Sequence, residues 1–216
     1  MTASLTTLIS RTQATLGDDG TYFTTALLTA AARLALSDFN ERAPVHAGDL
    51  IDGVTDQHEY EVSAIDDRAT SIIGVWRQDP DENEHDFPFI YDPYSEDERL
   101  WFRLRTSVTN DDILIVRFTI PHTINGLDSE TESTIPNNQQ DAVILTGICY
   151  HALCIRAAAR VESINLAPAV VANYERIEAK FLRTFKIGLA KVSEKRNAVG
   201  EPDTRAWNDQ YHGWDQ

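Results

Sequence analysis

The stretch from Gln139 to Arg160 constrains the fold more than any other part of this 216-residue chain. It reads QQDAVILTGICYHALCIRAAAR and, as a helix, would be apolar on nearly every side for about four turns. A surface helix carries a polar face, and a membrane span needs about twenty apolar residues, a run that Asp141 and Arg156 do not allow here. We therefore expect a helix that is buried all round, partly by neighbouring subunits.

The composition is that of an ordinary soluble protein, with 42% hydrophobic and 25% charged residues. The net charge of −15 argues against a surface that grips DNA or a membrane, because both are anionic and would require clustered Lys and Arg. An acidic wall can still surround DNA without gripping it. The chain opens without a recognisable secretory signal or anchor, so we expect it to be made and used in the cytosol.

Two cysteines and one histidine lie on the apolar helix. Cys149 and Cys154 would point about 140° apart and cannot pair with each other. We interpret them as small buried hydrophobes rather than as redox or metal-binding groups. His151 is interpreted as a hydrogen-bonded core or interface histidine, with a catalytic base as the less favoured alternative.

Helical spacing predicts further helices on both sides of a β-rich middle. The first covers residues 4–16, with Ser4 as its N-cap and Gly17 at its end, and a second, antiparallel to it, follows Thr24. Pro168 is expected to open a long amphipathic helix. In between, two-residue alternation and polar turns predict short antiparallel strands near 60–64 and at Ser71–Arg77, Phe87–Tyr91, Arg99–Arg105 and Asp112–Ile120.

The predicted fold class is therefore α+β: an antiparallel four-helix body, an inserted antiparallel β-sheet or small barrel, and an extended C-terminal tail. The helical body is discontinuous and comprises residues 1–48 and 139–196. The β domain covers residues 49–138, and the tail covers residues 197–216.

Charge is distributed unevenly along this plan. Acidic residues far outnumber arginines between Asp49 and Glu98, whereas all four lysines, Lys180, Lys186, Lys191 and Lys195, fall on the last helix. Such an asymmetry can set the register between subunits by complementary charge. The alternative interpretation is that these are solvated faces that keep the protein soluble.

Motifs for catalysis and cofactor binding are missing from the sequence. It contains no GxSxG, GxGxxG or phosphate-binding glycine loop and no zinc-binding spacing of His and Cys. The cluster from Asp79 to Asp86 resembles part of a calcium loop, but Glu84 and Ile90 replace its required glycine and glutamate. We expect no enzyme activity, catalytic residues, metal or cofactor; a metal-dependent enzyme that uses this cluster is the remote alternative.

Two aromatic segments indicate protein contacts. If Leu100, Phe102 and Leu104 face the core, Trp101 shares the other face with Arg99, Arg103 and Arg105, as an interface anchor with polar companions would. The alternative is a tryptophan that lies under arginine side chains on an open surface. In the C-terminal tail, Trp207, Tyr211 and Trp214 are spaced to share one helix face, which favours docking into a partner over a disordered tail.

The order and character of these segments resemble the head-to-tail adaptor (connector) proteins of tailed bacteriophages. The resemblance rests on the segments TLISRTQATLGDDGTYFTTALLTAAARLAL, HEYEV, ILIVRFTIP and IPNNQQDAVILTGICYHALCIRAA, with the long amphipathic helix after them, and it covers nearly all of residues 5–196. The middle segment is richer in strands than in the smallest members of that family.

The resemblance implies a structural virion protein of the neck, assembled in the host cytoplasm. Such proteins form a ring, commonly of about twelve copies, beneath the portal ring. The ring extends the channel through which double-stranded DNA passes without sequence-specific binding, and it presents a platform to the tail. The residues expected to grip the portal would here be Arg205, Trp207, Tyr211 and Trp214. Another neck or tail component, such as a tail terminator or head-completion protein, is the alternative.

Overall fold

A computed structural model describes most of the chain, namely residues 4–78, 87–135, 138–161 and 168–198. The described residues form four helices and seven strands, and two helices precede the strands while two follow them. By their contacts they divide into a helical unit, within residues 4–43 and 122–198, and a β unit, within residues 44–121. The prediction of a mixed helix and sheet protein is confirmed.

The helical unit contains four helices. They are α1 (Leu5–Leu16), α2 (Thr25–Arg42), α3 (Asn138–Val161) and α4 (Pro168–Ala198). The side chain of Ser4 accepts a hydrogen bond from the backbone N–H of Thr7, and Gly17 ends α1 in the left-handed conformation at φ 66°. Thr24 caps α2 in the same way as Ser4 caps α1. These three predicted end signals are confirmed.

Helix α3 packs against the three other helices of this unit. Ile144, Ile148 and Ala152 are completely buried, in one core with residues such as Phe39 and Phe185. Most of its other described side chains are only partly buried, so the chain covers much of this helix but not all of it. The segment Gln140–Ala158, with a mean hydropathy of 1.3, is long and apolar enough to span a membrane, as core helices of soluble proteins also are.

The segment 122–135 is fixed to the helices although it contains no helix or strand. Its apolar residues Ile124, Leu127 and Ile135 are buried in the same core. The backbone oxygen of Asn125 accepts a hydrogen bond from the N–H of Leu5 at 2.8 Å. Packing against the helices therefore orders a segment whose sequence is largely polar.

The β unit contains two antiparallel sheets. The four-stranded sheet has the order β1-β7-β3-β4 and the three-stranded sheet has the order β2-β6-β5. The strands are β1 (Val45–Asp52), β2 (Glu59–Glu61), β3 (Ser71–Arg77), β4 (Phe87–Pro88), β5 (Tyr91–Glu96), β6 (Arg99–Leu104) and β7 (Ile113–Ile120). Alternate residues of β6 and β7, including Phe102, Leu114 and Val116, are buried in a second core. Strand β1 is absent from the predicted strands, and the strand predicted at Phe87–Tyr91 is replaced by β4 and β5.

The finer features of the predicted fold stay predictions. These are the antiparallel arrangement of all four helices, a closed barrel, and the division into domains at residues 49 and 138. The compact units show where contacts concentrate, and independent folding of each domain is a separate property. The predicted tail, residues 197–216, lies outside the described residues except for residues 197 and 198, the last two of α4.

Candidate interaction surfaces

The outward face of the three-stranded sheet carries the predicted Trp101 cluster. Leu100, Phe102 and Leu104 are buried, and the alternation of β6 places Trp101 on the opposite side. The same alternation places Arg99 and Arg103 on the side of Trp101, and Arg105 directly follows the end of the strand. Trp101 is directly opposite Tyr94 of β5, and the two rings stack with centroids 6.4 Å apart and an interplanar angle of 18°.

The three arginines of this face each form an ion pair with a neighbouring strand or its end. Arg99 Nη1 lies 3.1 Å from Glu61 Oε1, Arg103 pairs with Glu59, and Arg105 Nη2 lies 2.6 Å from Asp92 Oδ1.

The hydrogen bonds from Arg105 lower the pKa of the Asp92 carboxyl below its ordinary value. Because the three arginine side chains are 61–62% exposed, solvent and salt screen these pairs strongly. Trp101 is only partly exposed and lies among these three ion pairs. Its role as an interface anchor stays a prediction.

A second surface, on the four-stranded sheet, was not predicted. Leu50 of β1 and Trp76 of β3 are both paired with Ile115 of β7, so the three side chains form an apolar row across three strands. Leu50 is 57% exposed. The guanidinium of Arg117 lies 5.1 Å from the centroid of the Trp76 ring, a cation–π contact at the edge of the row. Strand register creates this row, and the sequence alone does not specify the register.

A polar cluster connects α2, α3 and α4 at one side of the helical core. His151 Nε2 lies 2.8 Å from Asp38 Oδ2, and the His151 ring contacts Phe185 edge-on. One helical turn further along α3, the Cys154 thiol donates to Glu178 Oε1 at 3.4 Å. The predicted hydrogen-bonded histidine is thus found, partly buried and paired with a carboxylate.

Both cysteine thiols are held in the protonated form. Burial raises the pKa of Cys149 from its ordinary value near 9 to about 12, and burial is also the main cause of the raised pKa of Cys154. A hydrogen bond to Cys154, together with burial, raises the pKa of Tyr150 to about 12. Because the thiolate is the reactive form of cysteine, this environment makes both side chains poor nucleophiles. They are free thiols in the structure, as their spacing on one helix predicted.

Several predicted site residues lie outside the part of the chain that the structure describes. They include Arg205, Trp207, Tyr211 and Trp214 of the tail, and the whole acidic cluster from Asp79 to Asp86. Within the described residues, no group of three or more His, Cys, Asp or Glu side chains is placed to hold a metal ion.

Comparisons with known proteins give a structural similarity of low score and no sequence match. No protein-family model matches the sequence, and no curated protein matches it. One matching solved structure is described as "Neck of empty GTA particle computed with C6 symmetry". The match covers 65% of this chain and 74% of that chain, with 8% sequence identity and a TM-score of 0.30. A TM-score this low does not establish a shared fold, so the match assigns neither fold nor function.

Proposed function

We propose that this protein is a structural component of a phage virion neck, a head-to-tail adaptor that forms a ring beneath the portal. The observation that carries the proposal is the order of the elements. Two helices, a β-rich middle, an apolar helix and a long amphipathic helix follow one another along the chain. This is the order of elements on which the resemblance to these adaptors rests. In this proposal the protein has no catalytic role.

Surface properties of both units support an assembly role. A subunit of a cyclic ring needs two different contact surfaces, one for each neighbour. Large apolar side chains are exposed on the helical unit at Leu34 and Ile187, both 46% exposed, and on the β unit at Leu50 and Ile90. The partly covered sides of α3 offer further surface that neighbouring copies would bury.

The net charge of the chain suits a channel that DNA passes through. A chain of net charge −15 repels the phosphate backbone over most of its surface, so DNA slides past an acidic wall without binding to it. The partners in this proposal are the portal protein above, a tail or neck protein below, and identical copies on either side. The ring, of about twelve copies, would assemble in the host cytoplasm and remain in the virion neck.

Removing residues 206–216 tests the predicted contact with the portal. We expect the shortened chain to keep its far-UV circular dichroism spectrum and to lose co-sedimentation with portal rings. The reason is that the aromatic residues of the tail would supply the anchoring apolar contacts. In the full chain, replacing Trp207 and Trp214 together by alanine should weaken portal binding by about tenfold or more.

The matched control is His212→Ala, which lies in the same segment but off the predicted aromatic face. It should leave portal binding within about twofold of the wild-type value. A shortened chain that still co-sediments with portal rings would show that the tail is not the portal contact.

A further inference from the structure

Helix α4 has a basic outward face that is distinct from its core face. Residues Arg176, Lys180, Arg183, Ile187 and Lys191 follow one another at intervals of three or four, so they form one stripe about 22 Å long. All five are exposed. The stripe, called here the basic face, lies on the side of the helix opposite its buried residues, which include Phe185 and Leu189.

The charges of the basic face have no acidic partner among the side chains that the structure describes. In contrast, six arginines elsewhere form ion pairs with carboxylates: Arg33, Arg68, Arg77, Arg99, Arg103 and Arg105. On the basic face, Arg176 donates to the side chain of Asn173, which is uncharged. Lys180, Arg183 and Lys191 form no ion pair with any residue whose side chain the structure describes, a set that does not include Glu194. Four cations in one row repel one another, and an acidic partner would relieve this repulsion.

The composition of the basic face favours a protein partner over nucleic acid. Ile187 lies near the middle of the cations, with Arg183 and Lys191 one turn away on either side, and it is 46% exposed. Phosphate groups gain nothing from an exposed isoleucine, whereas an apolar centre with a charged rim is the usual composition of a protein interface. DNA would also have to approach a chain whose net charge is −15.

The β unit of a second copy of this chain carries the opposite charge. Residues 44–121 contain 18 acidic residues and six arginines, a net charge of −12, whereas residues 168–198 carry seven cations and three acids, a net charge of +4. Five of the arginines of the β unit are already paired with its own carboxylates, and Arg117 covers Trp76. The exposed carboxylates with no ion pair to a described residue include Asp52, Asp56, Asp67, Asp97, Glu98 and Asp111.

We propose that the basic face of α4 binds the acidic β unit of a second copy of this chain. This contact joins two different surfaces and so is heterologous, the kind of contact that closes a ring. The inference rests on the proposed ring function and deepens it, because it names the two surfaces by which neighbours would meet.

Cross-linking with mixed isotopes tests the contact between copies. Full-length protein with natural isotopes is mixed with full-length protein labelled with ¹⁵N and treated with a carbodiimide, which joins lysine amines to carboxylates in contact. We expect cross-linked peptides that pair Lys180 or Lys191 with carboxylates of residues 44–121, one peptide labelled and the other not. Sedimentation velocity over a concentration series should show association that weakens at high salt.

Charge reversal tests whether the basic face is responsible. Arg183→Glu with Lys191→Glu should lower the association constant by about tenfold or more and abolish the mixed-isotope cross-links. The matched control is Arg11→Glu with Lys186→Glu, which changes the net charge equally. Arg11 is an exposed residue of α1, and Lys186 lies off the basic face. The control should associate within about twofold of wild type.

Three results would overturn the proposal. They are the absence of mixed-isotope cross-links, equal weakening in the control variant, and binding of labelled duplex DNA that is lost in the Arg183→Glu, Lys191→Glu variant. Neck location is tested separately by imaging. A protein found in the neck without these cross-links would refute the contact alone, whereas cross-links from a protein absent from the neck would refute the proposed function.

Discussion

Gly147 is the residue on which the close packing of three helices depends. A Cβ atom at this position would lie 2.7 Å from the ring of Phe185 on α4 and 3.0 Å from Cβ of Ala35 on α2. Both neighbours are buried, with Phe185 2% exposed and Ala35 0% exposed. The absent side chain therefore allows α2, α3 and α4 to approach more closely than any other residue would permit.

Gly147→Ala should destabilise the helical unit by about 1–2 kcal/mol. Overpacking in a dense core costs about 1–3 kcal/mol, and the better helix propensity of alanine offsets up to about 1 kcal/mol of that cost. Urea unfolding followed by circular dichroism at 222 nm measures the change in the free energy of unfolding. Thr146→Ala, at a partly exposed neighbouring position, should change it by less than about 0.5 kcal/mol.

A double variant identifies Phe185 as the group that Gly147→Ala would displace. With Phe185→Leu in place, the added methyl group should be tolerated, and the two substitutions should couple by about 1 kcal/mol. Strict additivity of the two changes would mean that the helices do not meet at Gly147 as described.

The thiol of Cys149 should make the helical unit sensitive to alkaline pH. Its pKa is raised to about 12 in the folded chain from its ordinary value near 9. A raised pKa contributes stability that is complete below pH 9 and is lost as the pH rises toward 12. Between pH 8 and pH 10 the wild-type chain should therefore lose about 1 kcal/mol more stability than Cys149→Ala.

Paired urea titrations of the wild type and Cys149→Ala at the two pH values measure this difference. Other groups that titrate in this range are common to both chains and cancel in the comparison. Equal losses of stability in the two chains would show that Cys149 is not shielded from water.

At the scale of elements, local signals in the sequence predicted the helices and several strands. Ser4 and Thr24 mark helix starts through side chains that bond the first turn, and Gly17 marks an end through its left-handed conformation. The range predicted for β3, Ser71–Arg77, is confirmed in full, because it is apolar and bounded by polar turns. Strand β1 was missed because its sequence, VHAGDLID, contains Gly48 and does not alternate regularly.

Some features of the candidate surfaces follow from the local sequence, and others depend on contacts between distant strands. Alternation along β6 is local, and it predicted that Trp101 and its three arginines share a face. The acids that pair with those arginines come from other strands, so the pairing of strands determines which acid meets which arginine. The apolar row formed by Leu50, Ile115 and Trp76 depends on the register of three strands, and no local signal specifies it.

Gly53 has the same role in the β unit as Gly147 has in the helical unit, because a side chain at this position would clash with its neighbours. A Cβ atom there would lie 2.5 Å from the backbone oxygen of Thr109 and 2.8 Å from that of Asp112. Because backbone atoms cannot move aside as a side chain can, Gly53→Ala should destabilise the β unit by about 3 kcal/mol. The adjacent Val54→Ala, at a position 45% exposed, should cost less than about 0.5 kcal/mol.

Tryptophan fluorescence in a chain with Trp207 and Trp214 replaced by phenylalanine measures this change, because Trp76 and Trp101 both lie in the β unit. If Gly53→Ala unfolds at the same urea concentration as the control, the link between residue 53 and the start of β7 is not as described.

At the scale of the whole molecule, the two compact units lead to a prediction about cooperativity. If the units are separate domains, Gly147→Ala should shift the helical transition seen at 222 nm and leave the tryptophan transition unchanged. Gly53→Ala should shift the tryptophan transition and leave most of the helical signal unchanged. A single transition in which both probes move together with either substitution would contradict the predicted domain division.

A cryo-EM map of the virion neck would show directly whether these chains form a ring between portal and tail. We expect a closed ring directly beneath the portal, with α4 of each copy against the β unit of the next and the C-terminal segment in contact with the portal. A map in which this chain lies elsewhere along the particle axis, or is absent from the particle, would refute the proposed ring.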